Sequence, residues 1–163
     1  MAVDMYRGKC AIDQENAGHL MSNLDWAGAN QDIISAAKAL KAKGYAKVAL
    51  TGFCMGGALS ITAPAFGDEF ACSVPFYGCP DLSKIPLANI KCPVLGMFGT
   101  QDKAKGFADP EQAQKLEAAA QAAGVNFKLV MWEADHSFMN HNKPAHSPQV
   151  FADALKMTVD FMN

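Results

Sequence analysis

Thr51–Gly52–Phe53–Cys54–Met55–Gly56–Gly57 is the stretch that decides how this chain folds. Before it, Lys47–Val48–Ala49–Leu50 is a short, mostly apolar run that reads as a buried strand. After it, Ala58–Leu59–Ser60–Ile61–Thr62–Ala63 reads as helix. Gly-x-Cys-x-Gly-Gly between a strand and a helix is the pattern of a nucleophile elbow, with cysteine in place of serine. Such a turn holds its central residue in a strained conformation. Gly52 and Gly56 are expected to let two backbones cross closely, because neither has a Cβ, and Gly57 to let the new helix pack on the strand. Cys54 would then stand at a helix N-terminus, where the positive end of the dipole favours a thiolate.

Composition excludes several classes of protein. The chain has 163 residues, 50% of them hydrophobic, and a formal net charge of −2, which suits a single domain over residues 1–163 with a core of its own. The charge is balanced and there is no basic run, so no nucleic-acid partner is expected. No apolar stretch is long enough to span a bilayer, and Met1–Arg7 lacks the apolar core of a signal peptide, so no membrane partner is expected either. The 5 cysteines show no CxxC spacing, which points away from a disulfide framework or a zinc site and towards free thiols in the cytoplasm.

Along the chain, Ala2–Met5 is a weak extended segment. Asp13 can cap a helix carrying Ala17, Leu20, Met21 and Leu24 on one face. Asp25 can cap a second, with Ile33, Ala36, Ala37 and Leu40 in its stripe and Gly44 at its end. Pro64 is expected to end or kink the helix after the elbow. Cys72–Tyr77, Pro93–Phe98 and Phe127–Trp132 read as further strands. Asp109–Pro110–Glu111–Gln112 is a helix start: an N-cap Asp, Pro at the first helical position, and Gln where a capping box wants it. Gly124 stops that helix, and Pro148–Met162 forms the last one. Strands alternating with helices imply βαβ units and a mostly parallel sheet flanked by helices, an α/β fold. Active sites of such sheets lie at the carboxyl ends of the strands. Cys54, Asp102 and His136 each follow a strand, in the order nucleophile, acid, histidine of the α/β-hydrolases.

The chemistry these residues permit is acyl transfer. A free thiol is only a few per cent ionised at neutral pH, so it needs a base, and His136 can take its proton or hold it in an ion pair. Asp102 can fix the imidazole tautomer from the other ring nitrogen. The Met55 N–H, next after the nucleophile, is the expected oxyanion donor. Cys54 and Asp102 also have plainer readings, as a small core hydrophobe and as a turn residue, and His136 by itself does not decide; the triad order favours it. The glycines around Cys54 serve no core purpose and favour the nucleophile. His136, His141 and His146 stand five residues apart, a spacing that shares no helix face, so no metal is expected. Cys10, Cys72, Cys79 and Cys92 read as buried or partly buried thiols. Of these, Cys79 follows a strand end and can line the site.

The chain resembles the dienelactone hydrolase family, the carboxymethylenebutenolidases. The resemblance rests on Asp4–Met5–Tyr6, Gly52–Phe53–Cys54–Met55–Gly56–Gly57, Phe76–Tyr77–Gly78, Gly99–Thr100–Gln101–Asp102 and His136–Ser137–Phe138, and it runs along essentially the whole chain. It implies an α/β-hydrolase fold, a Cys54–His136–Asp102 triad, no metal or organic cofactor, and a lactone or small ester as the small-molecule substrate. Tyr77 falls in the family's Tyr-Tyr-Gly pattern, with Phe76 as the departure, and Arg7 lies near a substrate-gripping arginine of the family; both are expected at the substrate. Met139 and Asn140 stand where dienelactone-degrading members place a second such arginine.

Family members also carry an N-terminal portion ahead of the segment resembling Asp4–Tyr6, so the chain reads as N-terminally truncated. The elbow strand is then expected to have a bare edge, an association hazard that another copy or another chain would cover. A catalytically impaired relative acting as a binding subunit is the alternative function, favoured by the truncation and opposed by the intact Cys-Asp-His order.

Overall fold

The computed structural model describes residues 1–163, apart from the side chain of Gln14. The first two helices begin where the sequence offers caps. The Asp13 carboxylate accepts from the Asn16 N–H and opens α1 (Gln14–Ser22); that of Asp25 accepts from the Gly28 N–H and opens α2 (Trp26–Ala42). Ahead of them, Ala2–Met5 forms no strand. The Asp4 carboxylate accepts from the Tyr6 and Gly8 N–H groups and turns the chain directly after the segment.

Strand β1 (Ala49–Phe53) lies two residues further along than the Lys47–Leu50 run. Its partner is β2 (Cys72–Phe76), in register from Ala49 opposite Cys72 to Phe53 opposite Phe76. The Cys54 N–H then donates to the Phe76 carbonyl at 3.0 Å, so the ladder runs up to the elbow itself. Helix α3 (Met55–Phe66) follows the elbow; β3 (Val94–Gly99), α4 (Pro110–Ala122), β4 (Phe127–Trp132) and α5 (Pro148–Met162) complete the chain. The four strands are parallel in the order β1-β2-β3-β4. Helix α3 packs on β1 and β2, α2 on α3, α4 on β4, and α5 on β3. Strands β2 and β3 are buried along their whole length, as apolar central strands of a parallel sheet must be. Among the described residues β1 has a neighbour on one side only, and its Phe53 is 48% exposed.

Two local expectations give way to tertiary contacts. Pro64 does not end or sharply divide α3, which runs on to Phe66. A proline leaves the carbonyl four residues earlier without its N–H donor. That carbonyl belongs to Ser60, and the Ser73 hydroxyl of β2 donates to it at 2.6 Å. At α4, Asp109 is the N-cap residue, but its carboxylate accepts from the Gly106 N–H, and its own N–H is taken by the Ala104 carbonyl. No capping box can close, and Gln112 turns away to donate to the Cys79 sulfur at 3.3 Å.

Candidate active site

The elbow has the strain the sequence implies. Cys54 sits at φ 55° and ψ −119°, a conformation unusual for a residue with a Cβ, which costs about 1–3 kcal/mol. The surroundings hold it there. A Cβ on Gly52 would meet the Gly56 carbonyl oxygen at 2.1 Å, so β1 and α3 cross at a distance only glycine permits. From the neighbouring strand end, a Cβ on Gly78 would meet the Cys54 carbonyl oxygen at 1.9 Å. Gly56, by contrast, faces open space and contributes its carbonyl rather than a missing side chain to the crossing.

Asp102 and His136 come from the loops after β3 and β4. The first residues of both loops are stitched together: the Thr100 N–H donates to the Trp132 carbonyl, and the Gln101 N–H to that of Ala134. The Asp102 side chain is fully buried. One of its oxygens accepts from the Ala104 N–H at 2.9 Å, and the other lies 2.7 Å from His136 Nδ1. The far ring nitrogen, Nε2, lies 3.4 Å from Cys54 Sγ. Three residues from three separate loops therefore form one hydrogen-bonded chain.

Its electrostatics favour an ion pair. Hydrogen bonding to Asp102 first, and to Cys54 second, raises His136 to about 10. The hydrogen bond to His136 pulls the Cys54 thiol below its ordinary value, against burial, and the Met55 N–H aimed at the sulfur helps. Both shifts run in the direction of a thiolate facing an imidazolium.

Tyr77 lies beneath the histidine. Its ring is 2% exposed and meets the rings of His136 and Phe138 edge-on, both at 5.1 Å between centroids. Burial pushes the titration of its hydroxyl upward. This tyrosine packs the base; its ring has no free face for a substrate. Cys54, Tyr77 and Ser137 are all non-glycine residues at positive φ, so backbone strain gathers around the sulfur and the imidazole. Arg7 is not brought to the triad. Its guanidinium is held by Asp32 at 2.9 Å, on a side chain that is 63% exposed. Cys79 is buried against Gln112 and lines a cleft of about 990 Å³ between α2, α3, α4 and the loop after β2. Cys54, Asp102 and His136 do not line that cleft; Phe107 does, with its ring 6.3 Å from that of His136. Cys10, expected to be buried or partly buried, is instead exposed in the segment ahead of α1.

Gly78, Phe138 and Tyr6 stand in the motifs that carry the family resemblance, but sequence reasoning assigns none of them a part in the site; the Tyr6 hydroxyl donates to Met55 Sδ at 3.4 Å. The Asp102–Ala104 contact is an Asx turn, which the loop composition could have signalled. Tyr6 has no such local mark, because it meets Met55 across 49 positions of sequence. Among the described residues no cluster of three or more His, Cys, Asp or Glu side chains is arranged to hold a metal, and no helix is long and apolar enough to cross a membrane.

Comparison with known proteins agrees with this architecture. The sequence profile of the dienelactone hydrolase family matches residues 1–163. Protein usf of Aquifex pyrophilus is 33% identical over 169 residues, spanning 98% of this chain and 72% of that protein. A candidate carboxymethylenebutenolidase of Aquifex aeolicus is 27% identical over the same shares of each. The crystal structure of a candidate dienelactone hydrolase from Klebsiella pneumoniae superposes with a TM-score of 0.83 at 22% identity, covering 97% of this chain and 72% of that one, which bears on the fold alone. The chain belongs to the dienelactone hydrolase family, and is a carboxylic ester or lactone hydrolase of the α/β-hydrolase fold.

Proposed function

We propose that the chain cleaves lactones or small esters through a thioester on Cys54, with His136 and Asp102 completing a triad. The observation that carries this reading is the unbroken series of contacts from Sγ through the imidazole to the buried carboxylate, 3.4 Å and then 2.7 Å. The thiolate attacks the carbonyl carbon, a C–S bond forms, and the carbonyl electron pair moves onto oxygen, towards the Met55 N–H. Collapse expels the alkoxide, which takes the imidazolium proton of His136. Water then adds to the thioester with His136 as base, and the sulfur leaves as thiolate. Asp102 holds the ring orientation throughout and never carries the proton. The mechanism needs free thiols, and the chain's cysteines are unbridged, which suits a cytoplasmic setting.

Hydrolysis of p-nitrophenyl acetate tests the assignment. Cys54→Ala is expected to lose about 10⁴-fold or more in kcat. Equal rates for the two proteins would overturn the mechanism. The pH profile tests the ion pair. The pair exists above the lowered pKa of Cys54 and below the raised one of His136, so turnover should already be high below the usual thiol range and fall near pH 10, where His136 loses the proton its leaving group needs. An acid limb at the ordinary thiol value would contradict it.

A further inference from the structure

We infer that the Tyr6 hydroxyl is a second oxyanion donor, supplementing the Met55 N–H when the substrate carbonyl becomes tetrahedral. The inference rests on Cys54 being the nucleophile. Tyr6 lies in the turn that the Asp4 carboxylate organises, well before the elbow in sequence. Its hydroxyl nonetheless reaches the residue directly after the nucleophile and donates to Met55 Sδ at 3.4 Å.

A thioether is a weak acceptor, so an O–H directed at one is parked rather than committed, and exchanging it for a charged oxygen is favourable. The side chain is partly buried, as a donor beside a developing charge must be if water is not to screen it. Burial first, and a Cys54 thiolate second, push the Tyr6 hydroxyl upward, so it lies within electrostatic reach of the sulfur and remains a donor. His136 approaches the same sulfur from the loop after β4, so the proton relay and this donor come from unrelated parts of the chain. The donor transfers no proton. As the C–S bond forms and negative charge gathers on the carbonyl oxygen, the O–H hydrogen bond shifts from Met55 Sδ to that oxygen. It returns when the oxyanion collapses.

Tyr6→Phe removes the donor and keeps the ring. The experiment measures p-nitrophenyl acetate hydrolysis and, separately, alkylation of Cys54 by iodoacetamide. Alkylation needs the thiolate but builds no oxyanion, so it separates this role from a general effect on the site. The expected result is a kcat about 100-fold lower with KM little changed, and an alkylation rate within about twofold of the parent. A kcat within about twofold of the parent would overturn the proposal. So would an alkylation rate that falls along with kcat, because the tyrosine would then be holding up the thiolate. Cys54→Ala, assayed alongside, isolates the underlying reading: if that variant keeps full activity, the nucleophile assignment fails and the donor fails with it.

Discussion

The two flanks of Cys54 are built differently. On the flank of β2, β3 and β4, Asp102 is fully buried with both oxygens engaged, and Tyr77 meets the imidazole edge-on with Phe138 packed behind it. On the flank of β1 and the chain start, Phe53 is 48% exposed, the Arg7 guanidinium is held by Asp32, and the Tyr6 hydroxyl rests on a sulfur. Under the proposed mechanism, the difference follows from the chemistry each side would serve. A proton relay works only at fixed distances, so its members are locked by packing and by backbone donors. A surface that receives a substrate must exchange its contacts, and weak partners make that exchange cheap.

The largest test of this contrast falls on the locked flank. Asp102→Asn should keep the fold and lower kcat about 10³–10⁴-fold, because the amide cannot hold the same imidazole tautomer. Steady-state kinetics with an unchanged far-ultraviolet spectrum would establish it, and a loss of tenfold or less would mean the carboxylate does not orient the ring. Next comes Phe138→Ala, which should destabilise the protein by about 3–5 kcal/mol in a denaturant titration and lower turnover as well. If stability drops while kcat per folded molecule stays constant, the aromatic packing does not position His136. The smallest effect belongs to the open flank. Arg7→Ala removes an exposed ion pair, so stability should change by no more than about 1 kcal/mol. Its KM for neutral and for carboxylate-bearing esters should be unaltered. A rise in KM confined to the carboxylate-bearing ester would return Arg7 to the substrate-gripping role that family resemblance suggests, with Asp32 as its resting partner.

What could be read before folding divides along the same line. The elbow, the parallel sheet and the order Cys54, Asp102, His136 were legible because each depends on local chemistry. Glycines mark the turn, apolar runs mark the strands, and the reactive residues follow strand ends. The capping box at Asp109 was misleading, because a loop carbonyl, that of Ala104, takes the N–H it would have used. Tyr77 was placed at the substrate, and its burial puts it under the histidine instead. Tyr6 was invisible as a neighbour of the sulfur, since no spacing rule links a turn near the chain start to a residue 49 positions on. Periodicity finds elements and their ends; it does not say which distant hydroxyl comes to rest where.

The hydroxyl of Ser73 under the carbonyl of Ser60 has a consequence for how the molecule assembles. The last turn of α3 is missing a bond that no residue of the helix can make, and the next strand supplies it. An isolated peptide covering residues 55–66 should therefore fray from Pro64 onward, and the turn should become firm only as β2 docks. The helix after Cys54 and the strand beside it thus mature in one step, which joins assembly of the elbow end of the sheet to completion of its centre.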